Sequence, residues 1–178
     1  MEISSARGAL TWLNNDQGWE LASKNLDVKA KSLWVNGDFR YQQPAKGDPW
    51  LSILAGIRLY DGADAWRYFP EPLMGKHLVD YLGGAIQGGQ VDNATLIYAG
   101  DPQHFPYRKN EGQFEVFVPL RHSTFQFQPG WPALTDLAID LDFANEGLWM
   151  NARKPNWARW TARILRRSFG LSERTLAD

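Results

Sequence analysis

The feature that most constrains this chain is the strict alternation of apolar and polar residues that begins at Asp136. Successive side chains of a β-strand point to opposite faces of the sheet, so this alternation predicts a strand with one apolar and one polar face. The apolar positions are Leu137, Ile139, Leu141 and Phe143, and the intervening positions are Asp136, Ala138, Asp140 and Asp142. A sheet of such strands presents a continuous apolar surface, which is either a sealed core or a place for a ligand.

Similar patterns recur along most of the chain. Trp50–Tyr60 alternates over the length of a long strand, and Gly112–Leu120 places an apolar residue at every second position. Turn residues separate shorter predicted strands, which are Gly8–Leu13, Trp19–Ser23, Leu26–Ala30, Leu33–Tyr41, Val91–Ala99, Ser123–Gln128 and Leu148–Ala152. The predicted fold class is mainly β, built from antiparallel strands.

One stretch changes period, at about residues 63–87. Apolar residues recur there at spacings of three and four, which predicts two short helices over Ala63–Phe69 and Leu73–Ile86. Pro70 and Pro72 separate them, and the glycine pairs that begin at Gly83 end the second. We therefore expect a short two-helix insertion in the β fold.

Composition narrows the class of protein. The 178 residues, 44% of them hydrophobic, suffice for one globular domain with a sizeable core. No apolar run approaches the roughly 20 residues that span a bilayer, and the N-terminus does not resemble a signal peptide. The absence of cysteine excludes disulfides and thiolate chemistry. Acidic residues outnumber basic ones before residue 153, which disfavours binding to nucleic acid.

The search for catalytic or metal-binding groups returns little. His77, His104 and His122 are far apart in the sequence and lack partners at ligand spacing, so we interpret them as surface or structural histidines. Asp140 and Asp142 fall on the polar face of a strand, where solvated carboxylates are common. We expect no enzymatic activity, no cofactor and no metal ion.

The nine tryptophans allow two interpretations. They could form a stacking platform for sugars or an interfacial belt for lipid. They could instead cap a β core, and composition favours this second interpretation for Trp12, Trp19, Trp34, Trp50 and Trp149.

Five separate motifs resemble one family in their order and spacing. They are Trp66-Arg67-Tyr68-Phe69-Pro70, Leu78-Val79-Asp80-Tyr81-Leu82 with its following glycines, Phe105-Pro106, Gly112-Gln113-Phe114 and Trp131-Pro132-Ala133-Leu134. Together they resemble the central region of the YhdP family, large AsmA-like envelope proteins of Gram-negative bacteria. The resemblance covers residues 8–152, so the chain looks like a fragment of a larger protein.

The resemblance implies that residues 1–152 are a segment of an open, curved β-groove on the periplasmic side of the inner membrane. Such a groove would shield phospholipid acyl chains during transport between the inner and outer membranes, and so affect outer membrane permeability. The expected partners are acyl chains and the neighbouring segments of a longer groove, without nucleic acid. The candidate groove residues are Leu51, Ile53, Ile57, Leu59, Phe114, Val116, Val118, Leu137, Ile139, Leu141 and Phe143.

Two features depart from the family pattern. The expected membrane anchor lies outside this chain, which alone would stay cytoplasmic. The alternation also gives way after Ala152 to a basic tail, and we expect residues 153–178 to be disordered or frame-shifted rather than a basic amphipathic helix on a membrane.

Two other functions remain open at this stage. One is a closed β-sandwich whose tryptophans bind glycans, and the other is a structural envelope spacer whose apolar faces are sealed. Ile139→Asp separates a groove from a spacer, because it would abolish lipid retention in the first and unfold the second.

Overall fold

The chain forms one open antiparallel sheet in which every strand pairs with its neighbours in sequence. The computed structural model describes residues 3–69, 71–154 and 157–165, and within these residues the sheet has nine strands in the order β1 to β9. The predicted mainly β, antiparallel class is confirmed. The strands are β1 Ile3–Asn15, β2 Gly18–Ala30, β3 Leu33–Pro44, β4 Trp50–Leu59, β5 Ile86–Gly100, β6 Gln113–Phe125, β7 Leu134–Ala144, β8 Gly147–Lys154 and β9 Trp157–Leu165.

The predicted helical insertion lies between β4 and β5. It consists of a 3-10 segment at Gly62–Tyr68 and two helices, α1 Glu71–Met74 and α2 Lys76–Ala85. The buried side of α2 carries Leu78, Val79, Leu82 and Ala85, at the spacing that a half-buried helix requires. A second 3-10 segment, Pro102–His104, follows β5. Among the described residues, no helix is long and apolar enough to cross a membrane.

The prediction of two short strands over Trp19–Ser23 and Leu26–Ala30 is wrong, because both belong to β2. The pairing of β2 with β3 shifts register between Ser23 and Leu26, and Asn25 has a φ of 53°. An inserted residue of this kind moves the apolar side chains from odd to even positions. In the sequence, this shift from odd to even apolar positions resembles a turn, although the strand continues.

β6 shows the same behaviour, since it joins most of the two strands predicted at Gly112–Leu120 and Ser123–Gln128. The irregular residue is His122, with a φ of 49°. Opposite it on β5, Gly89 has a φ of 135° and lies so close to Ser123 that an added Cβ would stand 3.0 Å from the Ser123 Cβ. Glycine is required at this position for both reasons.

The core lies between the helical insertion and one face of β4 to β8. Leu82 of α2, Leu120 of β6 and Ile139 of β7 are all completely buried in it. Phe69, just after the 3-10 segment, contacts Phe143 with ring centroids 6.5 Å apart. Within the described part of the chain, the buried cluster takes no residue from β1 or β2.

The sheet continues beyond Ala152, where the sequence led us to expect a disordered or frame-shifted tail. β8 runs to Lys154, and the backbone of Trp157–Leu165 pairs with it as β9. The rest of the predicted tail, residues 166–178, lies outside the described residues.

Candidate functional site

One side of the sheet carries apolar residues from β1 to β8, and we call it the apolar face. Cross-strand partners in register point to the same face of a sheet, so the pairing traces this surface across the molecule. One row of partners runs from β1 to β6 through Leu10, Ser23, Phe39, Ile53, Tyr98 and Phe114. Leu10 at the β1 end is 67% exposed and Phe114 at the β6 end is 3% exposed, although Ser23 beside Leu10 is also buried, at 2%. The face is therefore most open at β1 and covered at β5 and β6.

The covered part is the apolar face of β4 to β8, which packs against the helical insertion. All the groove residues predicted from the sequence lie on this part, as the register of these strands shows. The buried ones are Leu59, Phe114, Leu137, Ile139, Leu141 and Phe143. The half-buried ones, which pack against the core, are Leu51, Ile53, Ile57, Val116 and Val118.

This burial changes what one proposed substitution would test. Ile139 is 0% exposed and belongs to the core cluster that includes Leu82 of α2. An aspartate there would bury an unpaired charge, which destabilises a folded protein severely. Ile139→Asp therefore tests folding in this chain, and a ligand-binding test needs residues that are exposed.

The open part is the apolar face of β1 to β3, and it contains an aromatic cluster that sequence analysis did not select as a site. Trp12 is 57% exposed, and its ring stacks on Trp19 with centroids 4.9 Å apart and an interplanar angle of 20°. Trp19 in turn contacts Tyr41 at 5.1 Å. The alternation that would have revealed this site in the sequence is weak, because the polar residues Asn14 of β1 and Ser23 of β2 interrupt the apolar positions on this face. Only the ring contacts in the folded sheet show that three aromatic side chains from three strands form one cluster.

The tryptophans do not act as one group, either as a platform for ligands or as caps on the core. Trp12 and Trp50 are 57% and 42% exposed, so they do not cap a core. Sugar binding needs free ring faces, whereas Trp12 and Trp19 stack on each other. Trp34 lies on the opposite face, where Lys29 and Arg58 stand 4.9 and 4.8 Å from its ring centroid.

The opposite face of the sheet, which we call the polar face, carries ion pairs between strands. Arg40 of β3 donates to Glu20 of β2 at 2.7 Å, and Arg121 of β6 donates to Asp140 of β7 at 2.8 Å. The hydrogen bond from Arg40 lowers the pKa of the Glu20 carboxyl below its usual value. This face is nevertheless mixed, because it also carries Leu13, Trp50 and Leu54, which are 55%, 42% and 60% exposed.

Asp142 is an exception on the polar face. Sequence analysis placed it in solvent, but it is half-buried and its Oδ1 atom is buried without a hydrogen-bond partner. Burial raises the pKa of its carboxyl, and the nearby charge of Glu115 raises it further. This carboxylate is therefore poorly solvated at neutral pH.

The open part can remove apolar groups of a ligand from water. Its side chains offer aromatic and aliphatic surface, and burying each methylene group of a ligand gains about 0.8 kcal/mol. Such contacts are not directional, so they hold a hydrocarbon chain without fixing its position. A long flexible apolar ligand suits this surface better than a small polar one.

Comparisons with known proteins agree with the resemblance noted in the sequence. A model of the YhdP protein family matches residues 1–165. The intermembrane phospholipid transporter YhdP of Escherichia coli (strain K12) is 63% identical over 150 residues, which are 84% of this chain and 12% of that protein. The chain therefore spans about an eighth of the length of that relative. No solved structure matches the chain.

Proposed function

Because the chain belongs to the YhdP family, we propose that its sheet is one segment of a β-groove that shields phospholipid acyl chains between the inner and outer membranes. The relative in Escherichia coli is an intermembrane phospholipid transporter, and this chain corresponds to 12% of it. The segment would act on the periplasmic side of the inner membrane and would perform no bond chemistry.

The open part of the apolar face is the observation that carries this proposal. Leu10 and Trp12 are more than half exposed, although they lie in register with the residues that form the core further along the same face. Exposed apolar patches of this kind commonly mark sites for ligands, partners or membranes. An acyl chain that lies along β1 to β3 would cover them.

The covered part has a different role in the proposal. Since the helical insertion shares one buried cluster with the apolar face of β5 to β8, we place the acyl chain on the open part and at its border, where Leu51, Ile53 and Ile57 are half-buried. The fully buried groove candidates then hold the sheet and the insertion together beneath that border. The predicted set is thus divided into a border that lipid reaches and a core that supports it.

The energetics suit transport as well as binding. Removing ten methylene groups from water gains about 8 kcal/mol, at about 0.8 kcal/mol each. A surface without directional contacts gives nearly the same free energy at successive positions of the chain, so a lipid can slide. Neighbouring segments of a longer groove would pair with β1, which lies at the edge of the sheet, because an edge strand has free backbone donors and acceptors.

Leu10 and Leu13 provide a matched test of the lipid site. Both belong to β1 and are 67% and 55% exposed, but Leu10 pairs with Ser23 on the apolar face while Leu13 pairs with Glu20 on the polar face. We expect native mass spectrometry and lipid extraction to detect phospholipid on the full chain purified from bacterial membranes and periplasm. Leu10→Asp should lower the bound phospholipid at least several-fold, whereas Leu13→Asp should leave it unchanged.

Other outcomes would contradict the proposal. A monodisperse, lipid-free protein would favour a structural spacer. An equal loss of bound phospholipid in Leu10→Asp and Leu13→Asp would show that the lipid does not bind specifically to the apolar face. Circular dichroism of both variants would verify that the sheet is intact. Binding of soluble oligosaccharide in place of lipid would support the glycan-binding alternative.

A further inference from the structure

Three potential metal ligands converge at one end of the sheet, although they are distant in the sequence. Asp48 lies just before β4, and Asp101 and His104 lie just after β5. β4 and β5 are paired with Leu51 opposite Gly100, which brings the two loops together. One ligand atom from each of Asp48, Asp101 and His104 lies within 4.8 Å of the other two.

The carboxylate of Asp101 is the strongest indication that this group binds something. The residue is 6% exposed, and its Oδ1 atom accepts a hydrogen bond from the backbone N–H of Gln103 at 2.9 Å. Its Oδ2 atom is buried and has no hydrogen-bond partner. A buried carboxylate oxygen without a hydrogen bond is costly unless a positive charge compensates it, and the group that faces this oxygen is the His104 imidazole, at 3.0 Å.

The position of His104 supports the same conclusion. Its Nδ1 atom lies 3.0 Å from Oδ2 of Asp101, yet the two do not form a hydrogen bond. The pair of His122 and Asp136, at 2.9 Å, does form one. The imidazole nitrogen and the carboxylate oxygen are therefore close enough to be neighbouring ligands of one cation.

We propose that Asp48, Asp101 and His104 form a binding site for a divalent transition-metal ion. Two carboxylates and an imidazole suit Zn²⁺ and similar ions, whereas Ca²⁺ and Mg²⁺ prefer oxygen ligands alone. The two negative charges balance those of the ion. Asp48 and His104 are exposed, so the ion has access and the remaining coordination positions are open to water.

The site would link two loops that the pairing of β4 with β5 places side by side. His104 precedes Phe105, whose ring packs against Phe114 at 5.3 Å and Tyr98 at 6.4 Å. These contacts hold the segment after β5 in place, so the ion would fix the loop before β4 to a rigid support. We infer a structural ion at the same end of the sheet as Trp12, Tyr41 and Leu51, which occupy the row of Gly100.

Zinc titration of the full chain tests the site. After removal of metals with a chelator, isothermal titration with ZnCl₂ should show one ion bound per chain, and zinc should raise the melting temperature. Asp48→Asn and His104→Gln should each weaken binding at least tenfold and abolish most of the thermal shift. Both residues are exposed, so neither substitution disturbs the core.

His122→Gln is the matched control, because it removes a histidine of a similar pair outside the cluster. It should bind zinc as the unaltered chain does. Absence of stoichiometric binding, unchanged affinity in both ligand variants, or equal loss in the control would overturn the proposal. Calcium that binds as tightly as zinc would overturn the assignment to a transition metal.

Discussion

The role of an individual residue in this sheet depends on which face its position selects. Leu10 and Leu13 have the same side chain, the same strand and similar exposure, but they lie on opposite faces. Ile139 shares the apolar face with Leu10 and yet is completely buried, because the helical insertion lies over it. A residue can contact a ligand on the apolar face only if its position puts it on that face and its side chain is exposed. Residue type alone does not identify such residues.

Asp142→Asn should stabilise the protein at neutral pH. Burial raises the pKa of Asp142 in the folded state, so folding becomes less favourable as the pH rises from the ordinary aspartate pKa through the raised value. The asparagine variant lacks this penalty, and its advantage in free energy of unfolding should grow between pH 4 and pH 7. Urea denaturation at several pH values measures the difference.

Asp140→Asn is the control for that prediction. It lies on the same face two residues earlier but pairs with Arg121 at 2.8 Å, so the substitution removes a favourable contact and should bring no gain. An Asp142→Asn advantage that is the same at pH 4 and pH 7 would show that ionisation of this carboxyl is not the cause.

At the scale of elements, the helical insertion decides how much of the apolar face is core. α2 places four apolar side chains against the sheet, and its outer side carries the exposed pair of Lys76 and Asp80. The bulges of the long strands also shape this face. In β2 and β6 the apolar residues shift between odd and even positions, and the bulge keeps them on the same face of the sheet.

Leu82→Ala should destabilise the fold by about 2–5 kcal/mol, because it leaves a cavity at a completely buried position. Urea denaturation followed by circular dichroism gives the free energy of unfolding. Lys76→Ala on the exposed side of the same helix should change it little. Equal effects of the two substitutions would mean that α2 does not seal the sheet.

Across the part of the chain that the structure describes, the whole molecule is an open sheet whose apolar face is covered by the insertion in one part and exposed in the other. This asymmetry gives a single segment both a core of its own and a free apolar surface. The free surface lies at the β1 edge, where a further segment of a longer chain could continue both the sheet and the apolar face.

Phospholipid should stabilise the folded chain as a whole, because a ligand that binds only the native state shifts the unfolding equilibrium. At a lipid concentration about 100 times the dissociation constant, the gain is about 2.7 kcal/mol, or roughly 5–10 °C in melting temperature for a chain of this size. Differential scanning fluorimetry with phosphatidylethanolamine and phosphatidylglycerol vesicles measures it. The shift should persist in Leu13→Asp and disappear in Leu10→Asp, and its persistence in both would place the lipid elsewhere.

The prediction from sequence was best where the local pattern was strong. The strand around Ile139, the helical insertion and the family were all anticipated, since periodicity and motifs are local properties. The glycine pairs were misread as the end of the second helix, because Gly83 and Gly84 lie within α2 and Gly88 and Gly89 lie within β5. The interrupted strands β2 and β6 were divided in two, because a bulge and a turn leave similar marks in a sequence. The Asp48 cluster was missed because its members lie on either side of the helical insertion.

Within each uninterrupted run of a strand, the sequence by itself determined which residues share a face of the sheet, because alternation follows from the geometry of an extended backbone. It determined the antiparallel class and the helical insertion for the same local reason. Only the tertiary structure decided which part of the apolar face is core and which is open, since that depends on where α2 packs and how far it reaches. It also decided that Trp19 contacts both Trp12 and Tyr41 and that Asp48 lies near Asp101, because contacts across strands depend on register, which no single strand encodes.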